Sequence, residues 1–446
     1  MSIAKIRELF QQSQGQAESL VGKVVNQLKA TSFLWKGKVK ESDLFRISWE
    51  DEGEGLEKVC LFIKKEIYPI LGPLFKVSPL ATYTVEDILD ILVYMAVHGV
   101  TSENGVKGFR REFKRGPSAR TIRYRLGKLV YSEVEAAFFK ANNKILSYFE
   151  EKNMFNDIVL IANDISHVPC YGKHRKYACG MKRDKGTNYG YKYGSCVVSA
   201  PGIRVILHTV AMTELDTNEK MVEELITVAK KYVDIKAVLE DREFFNESSI
   251  NNLESLKVDY LMPVKKHRKK LLQSLRPPCK AEIPLGSRNV PVIAVKSPKD
   301  PKKTLYYCTA MKIPDKELEK VIDIYKNRWT IENAFKSHKI TFLAKTYSVN
   351  FTIRYFFWIL SVLLYNAWML CNFCAYTALK VNPTNQKRPL ITAFQFGISM
   401  KITFLSPEFS EDGPEEILLV AIALVKQYLL KNSPEERVIP HFMVNT

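Results

Sequence analysis

The chain has 446 residues, more than one hydrophobic core usually organises, so we expect at least two domains. A hydrophobic fraction of 46% and an aromatic fraction of 11% are typical of a folded globular protein and exclude extensive disorder. The formal net charge of +18 is typical of proteins that bind polyanions.

The first third of the chain is predicted to be helical. From Val85 the apolar residues keep a 3.6-residue rhythm that Gly99 ends. Ser118 is a good N-cap for a further helix over Ala119–Val130. We predict an all-α DNA-binding region in two parts, a helical region at 1–82 and a helix-turn-helix domain at 83–150.

The sequence pattern changes after residue 150. Asp157–Asp164 has the composition of a buried strand, ending in an acidic residue. Strands are predicted at Gly194–Ser199, Ile203–Ala211, Ile235–Glu240 and Tyr260–Val264, and helices at Glu219–Tyr232 and Glu247–Leu256. This order predicts an α/β fold with an RNase H-like catalytic core, whose first part spans 151–264.

A proline-rich segment then interrupts the core. Residues 265–318 contain short β-like runs at Val290–Val295 and Thr304–Thr309, which predict a β-rich insertion. Helix is predicted again from Asp315 and strongly over Tyr325–Ile340. The second part of the core, with this helix, is predicted at 319–380, and a C-terminal helical region at 381–446.

The positive charge is concentrated in three short windows. Residues 107–128 carry nine Lys and Arg against one acid, 173–192 carry seven against one, and 265–270 carry five against none. Such clusters favour phosphate-binding surfaces, although solvated lysine faces give the same pattern. The DNA-binding candidates here are Arg120, Arg123, Arg125, Lys265, Lys266 and Arg268, the last three also compatible with a nuclear-localisation segment.

Two aspartates follow apolar strand patterns. Asp164 and Asp241 each stand at or just past the end of a predicted strand, and strand ends are where ligands collect in open α/β sheets. Carboxylates that converge there suit a pair of Mg²⁺ ions, which phosphodiester chemistry uses to neutralise charge. Either aspartate alone is equally well explained as the start of a turn.

One helical stripe adds a third carboxylate. Tyr325, Arg328, Glu332 and Lys339 fall within roughly 60° of arc on one helix face, with Lys336 beside them. This stripe suits a DNA end at a metal site: Glu332 for the ion, the cations for phosphates, Tyr325 for packing. A solvated face with an Arg328–Glu332 pair is the simpler interpretation.

These residues resemble a known family. The spacing of Tyr325, Arg328, Glu332 and Lys339 matches the Y-R-E-K motif of insertion-sequence DDE transposases. The sequence around Asp164, and Asp241-Arg-Glu-Phe-Phe245, look like the blocks around that family's two aspartates, and the archaeal and bacterial group with an Asp-Arg-x-Phe-Phe block is most similar. The resemblance covers roughly 157–375.

The resemblance implies a specific active site. It implies Mg²⁺ or Mn²⁺, two ions per site, held by Asp164, Asp241 and Glu332, with Arg328 and Lys339 gripping phosphates of the DNA end. We expect cut-and-paste transposition from terminal inverted repeats, by a homodimer in a synaptic complex, in the cytoplasm and associated with the nucleoid.

Alternatives remain open at this point. Tyr355–Leu379 carries no charge and is long enough to span a bilayer, but its polar residues favour a buried core helix. The eight cysteines show no zinc-binding pattern. The rival functions are a catalytically silent DNA-binding protein derived from a transposase, a membrane-anchored protein, and a structure-specific nuclease.

Overall fold

The computed structural model divides the chain into two compact units, residues 129–369 and residues 1–128 with 370–446. Each unit is described by itself below. The described residues are 38–39, 59–151, 154–155, 159–171, 176–184, 186–199, 204–265, 272–378, 389, 391–393, 396–397, 400–401 and 437–438. Most of the predicted regions 1–82 and 381–446 therefore lies outside the described residues.

Unit 129–369 is built on one mixed sheet. Its strands are β2 (Val159–Pro169), β3 (Cys179–Asp184), β4 (Thr187–Val198), β5 (Ile206–Met212), β6 (Ile235–Leu239), β7 (Tyr260–Pro263), β8 (Cys279–Leu285), β9 (Arg288–Ser297) and β10 (Asp300–Thr309). The order is β3-β4-β2-β6-β7-β10-β9-β8, and β5 also pairs with β4.

The strand directions explain this order. Strands β2 to β5 follow one another along the chain, and β4 pairs antiparallel with β2, β3 and β5. Strands β2, β6 and β7 run parallel and need helical crossovers. The predicted RNase H-like core is confirmed in this arrangement. Strands β8 to β10, inside the predicted insertion, extend the same sheet because β10 pairs antiparallel with β7.

Helices cover both faces of this sheet. They are α5 (Tyr131–Glu151), α6 (Asn218–Ala229), α7 (Glu247–Ser255), α8 (Lys320–Lys326), α9 (Trp329–Thr341) and α10 (Phe351–Ala378), the last of which continues past residue 369. On β4, Cys196 lies 3.7 Å from the Leu225 carbonyl on α6, while the ring of Tyr193 stacks on Trp358 of α10. Alternate β4 side chains thus contact helices on opposite faces.

The other unit contributes helices from the predicted DNA-binding region. A π-helical stretch (Ile63–Ile67) leads into α1 (Tyr68–Leu71) and a 3₁₀ turn (Gly72–Leu74), followed by α2 (Val85–His98), α3 (Ser102–Phe113) and α4 (Ala119–Leu126). A two-residue strand pair, β1 (Lys38–Val39) and β11 (Arg437–Val438), also belongs to this unit.

Two predicted helix boundaries are confirmed in this unit and one is wrong. Gly99 ends α2 in the left-handed conformation, at φ 57°. The Ser118 hydroxyl caps α4 by accepting a hydrogen bond from the Thr121 amide at 3.2 Å. Helix α4 ends at Leu126 and not at Val130, because a turn at Gly127 separates it from α5.

Candidate active site

Asp164 lies within a strand and not at its end, which corrects the prediction. Strand β2 continues to Pro169 because β4 pairs with it along this whole stretch, with Asp164 opposite Ser195. Its parallel pairing with β6 stops earlier, at Ala162. Asp164 therefore stands just beyond the part of β2 that β6 covers, and its side chain stays 23% exposed.

Asp241 follows the neighbouring parallel strand, as predicted. Strand β6 ends at Leu239, and Asp241 starts a short 3₁₀ turn, Arg242–Phe244. Because β2 and β6 are parallel neighbours, Asp164 and Asp241 lie at the same edge of the sheet.

The helix that carries Glu332 is interrupted, whereas the sequence predicted one continuous helix. Helix α8 ends at Lys326 and α9 begins at Trp329. The Asn327 carbonyl at the break accepts hydrogen bonds from the hydroxyls of Ser199, at 2.9 Å, and Thr330, at 2.7 Å. These contacts compete with regular helical hydrogen bonds and anchor the break to the end of β4.

Arg328, in this break, joins two of the three predicted metal ligands. Its Nη1 lies 3.3 Å from Oδ2 of Asp164, and its Nη2 lies 2.5 Å from Oε1 of Glu332. The Arg328 side chain is only 10% exposed. Burial lowers the pKa of Arg328. Tyr325 and the carboxylates of Asp164, Asp241 and Glu332 raise that pKa by a larger amount, so that it lies above its ordinary value.

The three carboxylates influence one another. Burial raises the pKa of Asp164 to about 6, the Ile165 amide and Arg328 oppose this, and the charges of Asp241 and Glu332 add to it. The Ile165 amide donates to Oδ1 of Asp164 at 2.8 Å, which leaves Oδ2 facing Arg328. Asp164, Asp241 and Glu332 thus form one electrostatic cluster around a single guanidinium.

Tyr325 supports Arg328 from the other side. Its hydroxyl donates to the Glu240 carbonyl at 3.4 Å, and its ring centroid lies 5.8 Å from the Arg328 guanidinium. The ring also packs at 5.2 Å from Tyr307 of β10. Tyr325 therefore connects the insertion strands to the acidic cluster.

The two lysines of the predicted stripe differ in exposure. Lys336 is exposed, whereas Lys339 is half-buried. Burial lowers the pKa of His167, and the charges of Lys192 and Lys339 lower it further. Lys339 thus joins Lys192 in a positive region along β2, next to the acidic cluster.

Behind the cluster lies a buried polar pair that sequence reasoning did not find. Glu240 is 0% exposed and accepts a hydrogen bond from Asn163 Nδ2 at 3.0 Å. Burial raises the pKa of Glu240 well above its ordinary value, more than the Asn163 contact lowers it. Glu240 is buried, whereas the next residue, Asp241, is partly exposed. The sequence signals were a polar Asn163 inside an apolar run and Glu240 next to Asp241, a possible decoy ligand that would face the opposite way on a strand.

The remaining predicted DNA-binding residues are described within their own units. Lys265 is half-buried just after β7, and Lys266 and Arg268 lie outside the described residues. In the other unit, Arg120 is exposed, Arg123 pairs with Glu103, and Arg125 contacts the Lys76 carbonyl and the Tyr83 hydroxyl.

The donor chemistry of the cluster suits a divalent metal. Asp164, Asp241 and Glu332 offer carboxylate oxygens, which Mg²⁺ and Mn²⁺ prefer, and their shared excess of negative charge calls for a cation. Within the described residues, however, no group of three acidic, His or Cys side chains is closed around one point. Arg328 is the cation that two of these carboxylates contact in this structure.

Comparison with known proteins gives a family match and a similar fold. Residues 157–367 match the family model described as a transposase DDE domain. A cryo-EM structure of the piggyBac transposase synaptic complex with hairpin DNA is similar, with a TM-score of 0.50 and 12% identity over 92% of this chain and 89% of that chain. No curated protein matches the chain.

The matched segment contains β2, β6 and α9, and hence all three carboxylates of the cluster. Fold and family model agree on the same part of the chain. Over residues 157–367, the chain matches a transposase DDE domain, and this match supports a DDE transposase.

Proposed function

We propose that the protein is a cut-and-paste DNA transposase that binds the terminal inverted repeats of its own element, cleaves them and transfers the freed strands to target DNA. The observation that carries this proposal is the convergence of Asp164, Asp241 and Glu332 around Arg328. Three acids at one edge of the sheet are costly to hold together unless a cation binds them.

In this proposal Asp164, Asp241 and Glu332 hold the metal, and Arg328 positions them. The bound Mg²⁺ or Mn²⁺ would supply charge neutralisation at the phosphate and activation of the attacking oxygen. Arg328 presents a planar set of donors that fits a phosphate as well as a carboxylate, so DNA can take over the contacts that Asp164 and Glu332 now make. Lys339 and Lys336 extend the positive surface along α9.

On the strand that is transferred, the reaction proceeds in two displacements at phosphorus. Hydrolysis at each element end releases a 3′-hydroxyl, and that hydroxyl then attacks a target phosphodiester and displaces a target 3′-oxygen. Two ends must react together, which favours a homodimer. The similar piggyBac structure is itself a synaptic complex with DNA.

A mobility assay tests the proposal. A plasmid that carries the gene with its native flanking DNA should release the element in the presence of Mg²⁺. Glu332→Gln should reduce excision by roughly a thousandfold or more, because it removes a ligand and weakens the Arg328 contact. The matched control Glu243→Gln, exposed and beside Asp241, should excise normally. Equal excision by wild type and Glu332→Gln would reject the assigned site.

A catalytically silent DNA-binding protein is the second candidate. The ion pairs of Arg328 with Asp164 and Glu332 favour it, because they occupy carboxylate oxygens that a metal needs. In that case purified protein would bind the element ends without cleaving them at any Mg²⁺ or Mn²⁺ concentration. Cleavage of the ends by the wild type excludes this candidate.

A further inference from the structure

Helix α3 presents three cations on one face, and a fourth follows at its end. Lys107, Arg110 and Arg111 follow the spacing i, i+3 and i+4, which places them within roughly 100° of arc, and Lys114 is the next residue after the helix. All four are exposed, and Lys114 caps the C-terminal end of the helix. We call these four residues the α3 basic face.

The opposite face of α3 is fixed against α2. A side chain at Gly105 would collide with Met95, and one at Gly108 would lie 2.7 Å from the Tyr94 hydroxyl. Between them Phe109 is fully buried, with its ring 5.7 Å from that of Tyr94. Because the backbones approach so closely, α3 cannot turn to bring its cations inward.

The cations of α3 differ from the arginines of α4 in their partners. Arg125 is held by Lys76 and Tyr83, and Arg123 by Glu103. By contrast, within the part of the chain that the structure describes, no carboxylate pairs with any residue of the α3 basic face. Like charges at this spacing repel one another, so the face is costly without an external anion.

The chemistry of the face fits duplex DNA. Lys107 and Lys114 are seven residues apart, or roughly 10 Å along the helix, and one DNA strand carries about three phosphates over that rise. A membrane helix would need an apolar face to insert, but the apolar face of α3 is already packed on α2. The exposed surface offers charge alone.

We propose that the α3 basic face binds the phosphate backbone of duplex DNA independently of base sequence. This inference rests on the proposed function, and it moves the main DNA contact of this unit from the α4 arginines to α3. Arg120, exposed in the first turn of α4, is then the α4 arginine left to reach the DNA.

Salt-dependent binding tests the inference. Full-length protein with Lys107, Arg110, Arg111 and Lys114 all changed to Gln is titrated with a random-sequence duplex at several salt concentrations, by fluorescence anisotropy. The salt slope is the steepness with which the logarithm of the binding constant falls with the logarithm of the salt concentration. Each lost phosphate contact lowers this slope by about 0.9, so the fourfold variant should lose about 3 to 4. Its affinity at 0.1 M salt should fall about a hundredfold or more.

Three comparisons make the result decisive. A variant with the exposed Lys140, Lys220, Lys236 and Lys257 changed to Gln has the same net charge and should keep most of the slope. The milder Arg110→Gln/Arg111→Gln variant should lose about half as much slope as the fourfold change. Wild-type protein without divalent metal, where cleavage does not occur, should bind with the full salt slope, so that failure of catalysis is scored apart from failure of binding.

Specific outcomes overturn the inference. The inference is rejected if the fourfold α3 variant keeps the wild-type salt slope, or if the charge-matched control loses as much slope as that variant. It is also rejected if the wild-type protein does not bind the duplex. If the fourfold α3 variant lost binding to phosphatidylserine vesicles but still bound DNA, the α3 basic face would be assigned to a membrane instead.

Discussion

Arg328 shows how one residue can hold an acidic cluster together before any ligand arrives. Its guanidinium contacts Asp164 and Glu332 directly and is influenced by Asp241. One positive charge cannot balance three carboxylates, and all of them are at least partly buried. Burial is the main cause of the raised pKa of Asp164, and the charges of Asp241 and Glu332 add to it.

The pKa of Asp164 predicts how stability varies with pH. Its value of about 6 in the folded protein exceeds the ordinary 3.8, so the folded state binds this proton more tightly than the unfolded state. The free energy of unfolding should therefore fall as the pH rises from about 4 to about 6, by at most about 3 kcal/mol from this group. Asp164→Asn should remove that decline, as denaturant unfolding between pH 4 and 8 can measure.

A matched variant and a metal titration sharpen this prediction. Asp323→Asn removes an exposed carboxylate paired with Lys326 and should leave the pH profile unchanged. At pH 7, Mg²⁺ should raise the melting temperature of the wild type but not of Asp164→Asn. The assigned pKa would be contradicted if the free energy of unfolding changed between pH 4 and 6 by the same amount in the wild type as in Asp164→Asn.

At the scale of elements, local sequence patterns located Asp241 but misplaced the end of β2. The apolar run before Asp241 ends where β6 ends, because no antiparallel partner prolongs that strand. Strand β2 continues past Asp164 because β4 pairs with it, and β4 lies some 30 residues away in sequence. A local pattern carries no information about such a partner.

The break before α9 has the same cause. Spacing correctly brought Arg328 and Glu332 into contact, as their 2.5 Å hydrogen bond shows. At the interruption, the Asn327 carbonyl accepts a hydrogen bond from the hydroxyl of Ser199, which is 128 residues away. The Asn163–Glu240 pair is likewise formed between separate strands. Contacts of this kind decide the finer geometry of the site, and the sequence alone does not reveal them.

We predict that the contacts of Trp358 on α10 with the sheet stabilise the fold. This side chain is fully buried, stacks on Tyr193 at 4.2 Å, and donates to the Thr209 hydroxyl at 2.9 Å. Trp358→Phe removes the hydrogen bond and leaves a gap, so the free energy of unfolding should fall by roughly 2–4 kcal/mol. Urea denaturation followed by circular dichroism measures the change.

The same substitution at Trp329 provides the control. Trp329 is 59% exposed at the start of α9, and Trp329→Phe should change stability by no more than about 0.5 kcal/mol. Equal effects of the two substitutions would show that α10 does not anchor the sheet in this way.

For the molecule as a whole, the apolar helix α10 could lie either in a membrane or in the protein core. Among the described residues, one helix, Phe351–Tyr376, is long and apolar enough to cross a membrane, but 94% of its most apolar window is buried inside the protein. Its polar side chains have internal partners: Ser361 contacts His338, Asn366 contacts Asn142 and Ile206, and Asn372 contacts Ile391. This supports the prediction of a core helix.

Asn366→Leu distinguishes a bilayer from the protein core, because the substitution should stabilise α10 in a bilayer and destabilise it in the core. In a membrane, leucine for asparagine favours insertion of the helix. In the core, Asn366 accepts from the Ile206 amide at 3.0 Å and donates to the Ile206 carbonyl and to Asn142, both at 2.8 Å. Its loss leaves these buried groups unpaired, so the free energy of unfolding should fall by roughly 2–4 kcal/mol.

The measurement combines stability with partition. Wild-type protein should stay in the aqueous phase of a detergent-partition assay, and Asn366→Leu should unfold at lower urea. Asn251→Leu, at an exposed position of α7, adds the same apolar group and should change stability by no more than about 0.5 kcal/mol. Wild-type protein in the detergent phase, made more stable there by Asn366→Leu, would mean that α10 lies in a bilayer, and the core built around Trp358 and Asn366 would have to be abandoned.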